Sequence, residues 1–439
     1  MTTGTAAPHT VRLLAGYHAL GRRAGLEDHL VQYGAPPATA GAALIQAVEE
    51  SGLTGRGGGG FPTGRKLRSV AAGRRAAVVV VNAAEGEPAS GKDRALLTVA
   101  PHLVLDGAVL AAGAVGAREI VVCVHAEPDA GTGKDPQTAV RRDGAATLAD
   151  TVRRAIAERE AARPAPVPMR VTAVPPRYVA SEETALVHWL DAGDARPLFT
   201  PPRPFERGVG GRPTLVSNAE TYAHIALIAR HGPAWFRSCG TPEAPGTALF
   251  TVSGVVARPG VVEAPLGTPV GEVLRLAGGP SEPLQAVLAG GYGGTWLPPD
   301  LLGLPTTPSA FRAAGLALGP GILVALPERA CGVAESARVL AWLAAQTAGQ
   351  CGPCVHGLPA IAADFAELAA CRVSTELYRR LDRRLSVIPG RGACRHPDGA
   401  VRFAASALRV FGRHLRVHAH AEGCLLAQWP PVLPIPEEW

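Results

Sequence analysis

Three short apolar runs organise the first half of the chain: residues 76–83 (AAVVVVNA), 119–125 (EIVVCVH) and Met169–Val174. The first two do not alternate with polar residues, a pattern that predicts strands buried on both faces, and the third reads as a further strand. Between them lie helical patterns at 95–114 and at 138–161, the latter interrupted near Asp143-Gly144, and a further helix over 181–191. Continuous strands alternating with helices predict a parallel sheet covered on both sides. A weakly helical lead-in (1–40) and a helix over 39–51, with Ala43, Leu44, Ala47 and Val48 on one face, come first.

The pattern changes twice downstream. After a Pro-, Arg- and Gly-rich stretch at 194–214, residues 215–221 (LVSNAET) lead into a helix that runs to Arg230. Strands at 248–256 and 260–264, a helix at 270–276 and strands near 286–289 and 322–325 predict a small sheet gripping one helix. From Ala330 onward the pattern is helical, at 333–347, 358–368, 374–387 and 400–417, and short turns suggest a bundle. The resulting division is 1–40, 41–240, 241–330 and 331–439.

The length of 439 residues suits two to four domains. A hydrophobic content of 47% with 18% charge argues for a folded chain over a disordered one. The net charge of +6 is scattered, with no basic run interleaved with aromatics, so nucleic acid is not the expected partner. No stretch of about 18 apolar residues predicts a membrane span, and the N-terminus lacks the pattern of a secretory signal. A cytoplasmic protein is expected, peripheral to a membrane only through a partner.

Two sets of residues carry chemistry. The first is the loop GRGGGGFPTGRK, containing Gly55, Gly57, Gly58, Gly60, Phe61 and Lys66. Glycines let a backbone come close to a ligand, and successive N–H groups with a lysine make an anion cradle. The string fits G-x-G-x-x-G, but the loop follows a helix where the dinucleotide fingerprint follows a strand. Polar clusters follow the first and third strands: Asn82-Ala83-Ala84-Glu85-Gly86-Glu87 with Lys92-Asp93-Arg94, and Ser181-Glu182-Glu183-Thr184. Ligands of open α/β sheets sit beyond such strand ends. Taken alone, Glu182 and Glu183 read as a helix cap with acidic first-turn residues.

The second set lies among the eight cysteines. Cys351-Gly352-Pro353-Cys354 and the distant Cys394 read as metal ligands. Cys371, His356 and His396 are candidates for a fourth. Cys123 reads as strand core. Cys239, Cys331 and Cys424 show no partner pattern, and His414, His418 and His420 could bind metal weakly but read better as a solvated helix end.

In order and spacing, the glycine loop, NAAEGEP (82–88), EETA (182–185), PTLVSNAET (213–221), the 245–267 segment and Cys351–Cys354 resemble the flavoprotein (F) subunit of respiratory complex I. The resemblance extends to the diaphorase subunits of NAD-linked hydrogenases and formate dehydrogenases. It implies a Rossmann-like FMN domain, a ubiquitin-like β-grasp domain and a helical bundle with one [4Fe–4S] cluster. NADH would give hydride to FMN, and electrons would leave singly to an iron–sulfur or ferredoxin-like protein or another component of a complex. By motif, the glycine loop with Lys66, Asn82, Glu85, Ser181, Glu182 and Asn218 would hold FMN. Phe61 and Glu183 would face nicotinamide, with Glu85 and Glu183 as the catalytic carboxylates. Cys351, Cys354 and Cys394 would hold the cluster, its fourth ligand unassigned. The chain departs from the family pattern at Ala84 (aspartate), Ser181 (glycine), Ser69 and Arg203 (phenylalanines), Thr200 (lysine) and Ala348 (the first cluster cysteine).

Overall fold

The structure is a computed structural model and describes residues 11–37, 41–126 and 147–436. Strands β1 (Ala77–Ala83), β2 (Ala117–His125), β3 (Met169–Val174) and β4 (Thr214–Asn218) form a parallel sheet in the order β3-β2-β1-β4. β1 is central, and its residues serve both faces. Val79 and Val81 join a core with Leu103, Val104 and Tyr222 from the helices Pro101–Val115 and Ala219–Arg237. Val78 and Val80 join a second core with Leu186 and Val187 from Glu183–Ala192. Burial on both sides is what the unbroken apolar runs require. A Cβ on Gly107 would stand 1.8 Å from the Tyr222 carbonyl oxygen, so only glycine lets the two covering helices approach this closely.

The expected helix over 95–114 is two helices, Lys92–Val99 and Pro101–Val115. Pro101 lacks an N–H and restricts Ala100, and the chain bends there by 96°. The helix expected over 138–161 is observed as Leu148–Ala162; its first part and the Asp143-Gly144 interruption lie outside the described residues. β4 is an addition to the expected sheet.

The second sheet contains β5 (Thr247–Gly254), β6 (Gly260–Pro265), β7 (Leu284–Ala289), β8 (Thr295–Leu297) and β9 (Ile322–Pro327), in the order β6-β5-β9-β7-β8. Only the central β5–β9 pair is parallel. This is the β-grasp order. One face holds the helix Val270–Leu276 through Val270, Val273 and Leu274. The other face, with Leu288, Trp296 and Val324, shares a core with Leu340, Phe403 and Phe411 of the helical region. The β-grasp sheet is therefore packed between its own helix and the C-terminal helices. Those helices are Gly332–Ala345, Leu358–Ala369, Thr375–Val387, His396–Val410 and Gly412–His418, the last two replacing the single helix expected over 400–417.

Candidate functional site

The glycine loop sits over the switch point of the first sheet. β1 pairs with β2 on one side and β4 on the other, so the strand order reverses between β1 and β4. Asn82 and Asn218 end those strands side by side. Such a crevice is where open α/β sheets take ligands. The loop is closed at its base by Gly55 N–H to the Phe61 carbonyl (2.9 Å) and Thr63 N–H to the Leu53 carbonyl (2.9 Å). It is pinned underneath by Arg56 N–H to Thr221 Oγ1 (3.0 Å). Gly57 lies against Asn218, 3.4 Å from where its own Cβ would be. Gly58 and Gly60 have φ of +95° and +60°, and Gly59 and Gly60 have open space where a Cβ would stand. The loop follows the helix Ala42–Ser51 and opens Thr63–Ala71, so the order helix–loop–helix expected from sequence is the one found.

A cavity of 710 Å³ opens beside the loop, within the size range of cofactor sites. All three parts of the chain line it. Gly55–Gly60, Glu87, Tyr178, Ser181 and Glu182 come from the first, Gly290, Gly293 and Gly319–Gly321 from the β-grasp part, and Cys394, His396 and Arg402 from the helices. Glu182 caps Glu183–Ala192 by accepting from Thr184 N (2.8 Å) and Ala185 N (3.1 Å), and burial raises its pKa. It is at once the expected helix cap and a cavity wall. His396 is buried, and its Nδ1 has no partner.

Of the two acidic residues after β1, Glu87 faces the cavity. It accepts from Tyr292 N–H (3.0 Å) and the Tyr178 hydroxyl (3.3 Å), and burial pushes it up to about 8. Glu85 turns to the neighbouring helix. It accepts from Asp93 N–H (3.0 Å), Arg94 N–H (2.9 Å) and the Ser90 hydroxyl (2.7 Å), capping Lys92–Val99. Gly86 between them would bring a Cβ 2.6 Å from the Tyr178 carbonyl, so this turn packs directly on the one that carries Ser181.

The floor is a buried ionic network. Lys92 Nζ contacts Asp93 Oδ1 (2.9 Å), Asn218 Oδ1 (2.8 Å) and Glu220 Oε2 (2.9 Å). Burial opposes the Lys92 charge, but the two carboxylates more than offset it and raise its pKa. Burial likewise works against Glu220, yet Lys92, His224 and Arg56 bring it down to about 2. Asn218 caps the helix Ala219–Arg237, and Asn82 Nδ2 donates to the Ser181 carbonyl (2.8 Å). Both asparagines hold neighbouring turns in place around the crevice. Lys66 Nζ donates to Glu183 Oε2 (2.7 Å) and the Val216 carbonyl (2.8 Å). Arg203 lies 4.0 Å from Glu183, and Phe61 is 44% exposed beneath the Arg65 guanidinium.

The three expected thiols converge. Cys354 sits in a π-helical turn (Pro353–Gly357), where Cys351 hydrogen-bonds to it and Cys394 is also near. Burial and these neighbours push Cys354 up to about 12, and the Ala348 backbone lies nearby. Cys394 lines the same cavity as the glycine loop. His396 donates its backbone N–H to Cys394, while its ring Nε2 meets the Leu343 carbonyl at 2.8 Å. Cys371 lies near Cys424 instead, and His356 is exposed.

Comparison with known proteins gives the same three parts. Residues 48–227 match the Nuo51 FMN-binding domain, 249–295 an SLBB domain and 334–418 the NADH-ubiquinone oxidoreductase-F iron–sulfur binding region. The chain is 32% identical to the NADH-quinone oxidoreductase F subunit of Streptomyces coelicolor over 87% of its own length and 84% of that protein. This chain belongs to the F-subunit family of NADH-quinone oxidoreductases. To the F 2 subunit of Rhizobium meliloti it is 30% identical, covering 94% of this chain and 96% of that one. Among solved structures, a chain of an NAD+-reducing [NiFe]-hydrogenase in the air-oxidized state superposes with a TM-score of 0.76 at 30% identity, over 99% of this chain and 70% of that one. The H2-reduced state of such a hydrogenase gives 0.73 at 32%, over 87% and 63%.

Within this F-subunit fold, sequence reasoning missed Glu87, Tyr178 and Arg402 as cavity residues. Glu87 stands in the NAAEGEP motif, but only the turn geometry shows that it and not Glu85 faces inward. The glycine cradle, the cavity volume and the unpartnered His396 nitrogen fit a flavin nucleotide. Three convergent thiols fit an iron–sulfur cluster.

Proposed function

We propose that this chain is the flavin-bearing component of a multisubunit oxidoreductase, taking hydride from NADH and passing single electrons onward to a protein partner. The observation that carries this reading is that Cys394 and the glycine loop line the same cavity. Bound FMN would supply the conversion of a two-electron hydride into one-electron steps, and a [4Fe–4S] cluster on Cys351, Cys354 and Cys394 would accept them.

The protein's own residues do the positioning. The loop from Gly55 to Gly60 brings backbone to the cofactor without side-chain obstruction. Ser181, Glu182 and Glu87 offer polar groups to the same cavity, and burial raises Glu87 to about 8, which favours its neutral, hydrogen-bond-donating form. Asn82, Asn218 and Lys92 hold the turns that carry these groups. Phe61 and Glu183, the latter paired with Lys66, would supply the surface for the nicotinamide. The partner is another component of the complex, of iron–sulfur or ferredoxin-like type. No single helix among the described residues is long and apolar enough to cross a membrane; the location proposed is cytoplasmic, near a membrane only through the partner.

A second reading, an electron relay or assembly component of the same fold without NADH oxidation, is favoured by Arg203, a cation standing where the resemblance expects a phenylalanine. Anaerobic purification separates the readings. About one FMN and about four irons per chain are expected, with flavin bleaching on mixing with NADH. Protein lacking both flavin and iron would overturn both readings. Loaded protein that does not bleach would select the second.

A further inference from the structure

On the side of the helical region that carries the chain's C-terminal tail, four side chains from three separate stretches meet. Cys331 precedes the helix Gly332–Ala345, His414 and His418 lie one turn apart on Gly412–His418, and Cys424 follows in the tail. Their four donor atoms all lie within 4.8 Å of one another. We propose that Cys331, His414, His418 and Cys424 form a structural zinc site, separate from the cysteines that face the cavity.

The donor set is the Cys2His2 combination of closed structural zinc sites. The spacing fits as well. Tetrahedral geometry with ordinary Zn–S and Zn–N bonds puts a sulfur and a nitrogen ligand ~3.5 Å apart. Cys331 Sγ lies 3.5 Å from His418 Nε2, and Cys424 Sγ 3.4 Å from His414 Nε2. The two imidazoles stand edge to face, with centroids 4.7 Å apart, as neighbours on one helix face.

Ligand orientation is built in. His418 is fully buried, and its Nδ1 meets the Leu368 carbonyl at 2.8 Å. That carbonyl can only accept, so the proton resides on Nδ1 and the Nε2 lone pair faces the Cys331 sulfur. Cys331 accepts from Ala334 N–H (3.3 Å) at a helix N-terminus, which favours its thiolate. All eight cysteines are free. The site would clamp the tail, whose Val432 and Leu433 N–H groups bind Glu335 at 2.9 and 3.2 Å and whose Pro434 carbonyl accepts from the buried Tyr292.

The test is metal analysis of the full-length protein purified from zinc-replete cells. About one zinc per chain is expected in the wild type. Cys424→Ser and His418→Ala should each lower it at least tenfold while iron and flavin stay unchanged. If His418→Ala does not fold, Cys424→Ser and cobalt replacement in the wild type decide. Co2+ should give the visible bands and thiolate charge transfer of a tetrahedral S2N2 site. Wild-type protein without zinc and without a tetrahedral cobalt spectrum would overturn the proposal. So would zinc that persists in both variants, or iron lost in place of zinc.

Discussion

The helical region carries two sulfur-rich sites built on opposite plans. The cavity-side site has three donors of one kind, Cys351, Cys354 and Cys394, of which only Cys354 is buried. It is mounted on turns and loops, and one ligand opens onto the cavity. The tail-side site has two thiols and two imidazoles. Cys331 and His418 are fully enclosed and held by hydrogen bonds to backbone, and all donor atoms are gathered within 4.8 Å. A cluster that exchanges electrons needs spread thiolates and a path to its donor. A single structural ion needs a compact, closed cage. The same helices thus separate exchange from fastening.

The largest expected effect tests that separation directly. Cys354→Ser should lower iron content more than tenfold, because it removes the one buried thiol of the cavity-side set. Zinc should stay near one per chain and the thermal midpoint should move little. Metal analysis and a melting curve on the same sample check this, and a parallel loss of zinc would mean that the two sites are one folding unit.

A second contrast is acid–base. The cavity side holds a carboxyl whose pKa the fold raises. Glu87 is pushed up to about 8 from its ordinary 4.5 by burial. A raised pKa means that the folded state favours the proton. The stabilising contribution is full below about 4.5 and is lost as pH rises through about 8. Flavin-free protein should therefore lose stability across that window, on the order of 2 kcal/mol given the partial exposure of the group. Glu87→Gln should flatten the slope. Denaturant melts at several pH values would show it, and an unchanged slope in the variant would reject the assignment.

How much of this could be read from sequence depends on where the information lies. The strands β1 and β2 were legible because burial on both faces writes itself as an unbroken apolar run. β4 was not, since Leu215 and Val216 are its only apolar residues and polar ones follow at once. The broken helix at Pro101 had a visible signal in the proline itself. Cys351, Cys354 and Cys394 were legible through C-x-x-C and the resemblance. Choosing between Glu85 and Glu87 was not, because two residues in one turn point to different neighbours. The tail-side site was hidden for another reason. His414 and His418 have helical ligand spacing, but Cys331 is some eighty residues away in sequence, and only packing brings it in. His418, which reads as a solvated helix end, is fully buried.

Position 348 offers a smaller effect on the same contrast. The Ala348 backbone lies near Cys354, so position 348 borders the cavity-side site. Ala348→Cys should supply a fourth thiolate and make that site resemble the closed one. Iron retention in air should lengthen by roughly an order of magnitude, the scale on which single groups act at metal sites. Equal loss rates for variant and wild type, followed by absorbance, would show that position 348 does not reach the metal.

The smallest effect concerns the entrance of the cavity. Arg203 is exposed and stands 4.0 Å from Glu183, so its ion pair contributes little to stability. Its cost is to nicotinamide stacking, where the resemblance expects an aromatic ring. Restoring one aromatic contact is worth about 0.5–1.5 kcal/mol. Arg203→Phe should therefore lower the KM for NADH about two- to tenfold with kcat unchanged, because a stacking face binds ground state and transition state alike. Steady-state kinetics with an artificial acceptor read both parameters. A KM that rises or stays fixed would mean that Arg203 is itself part of the NADH surface, and that the cavity side has been rebuilt around a cation where stacking was expected.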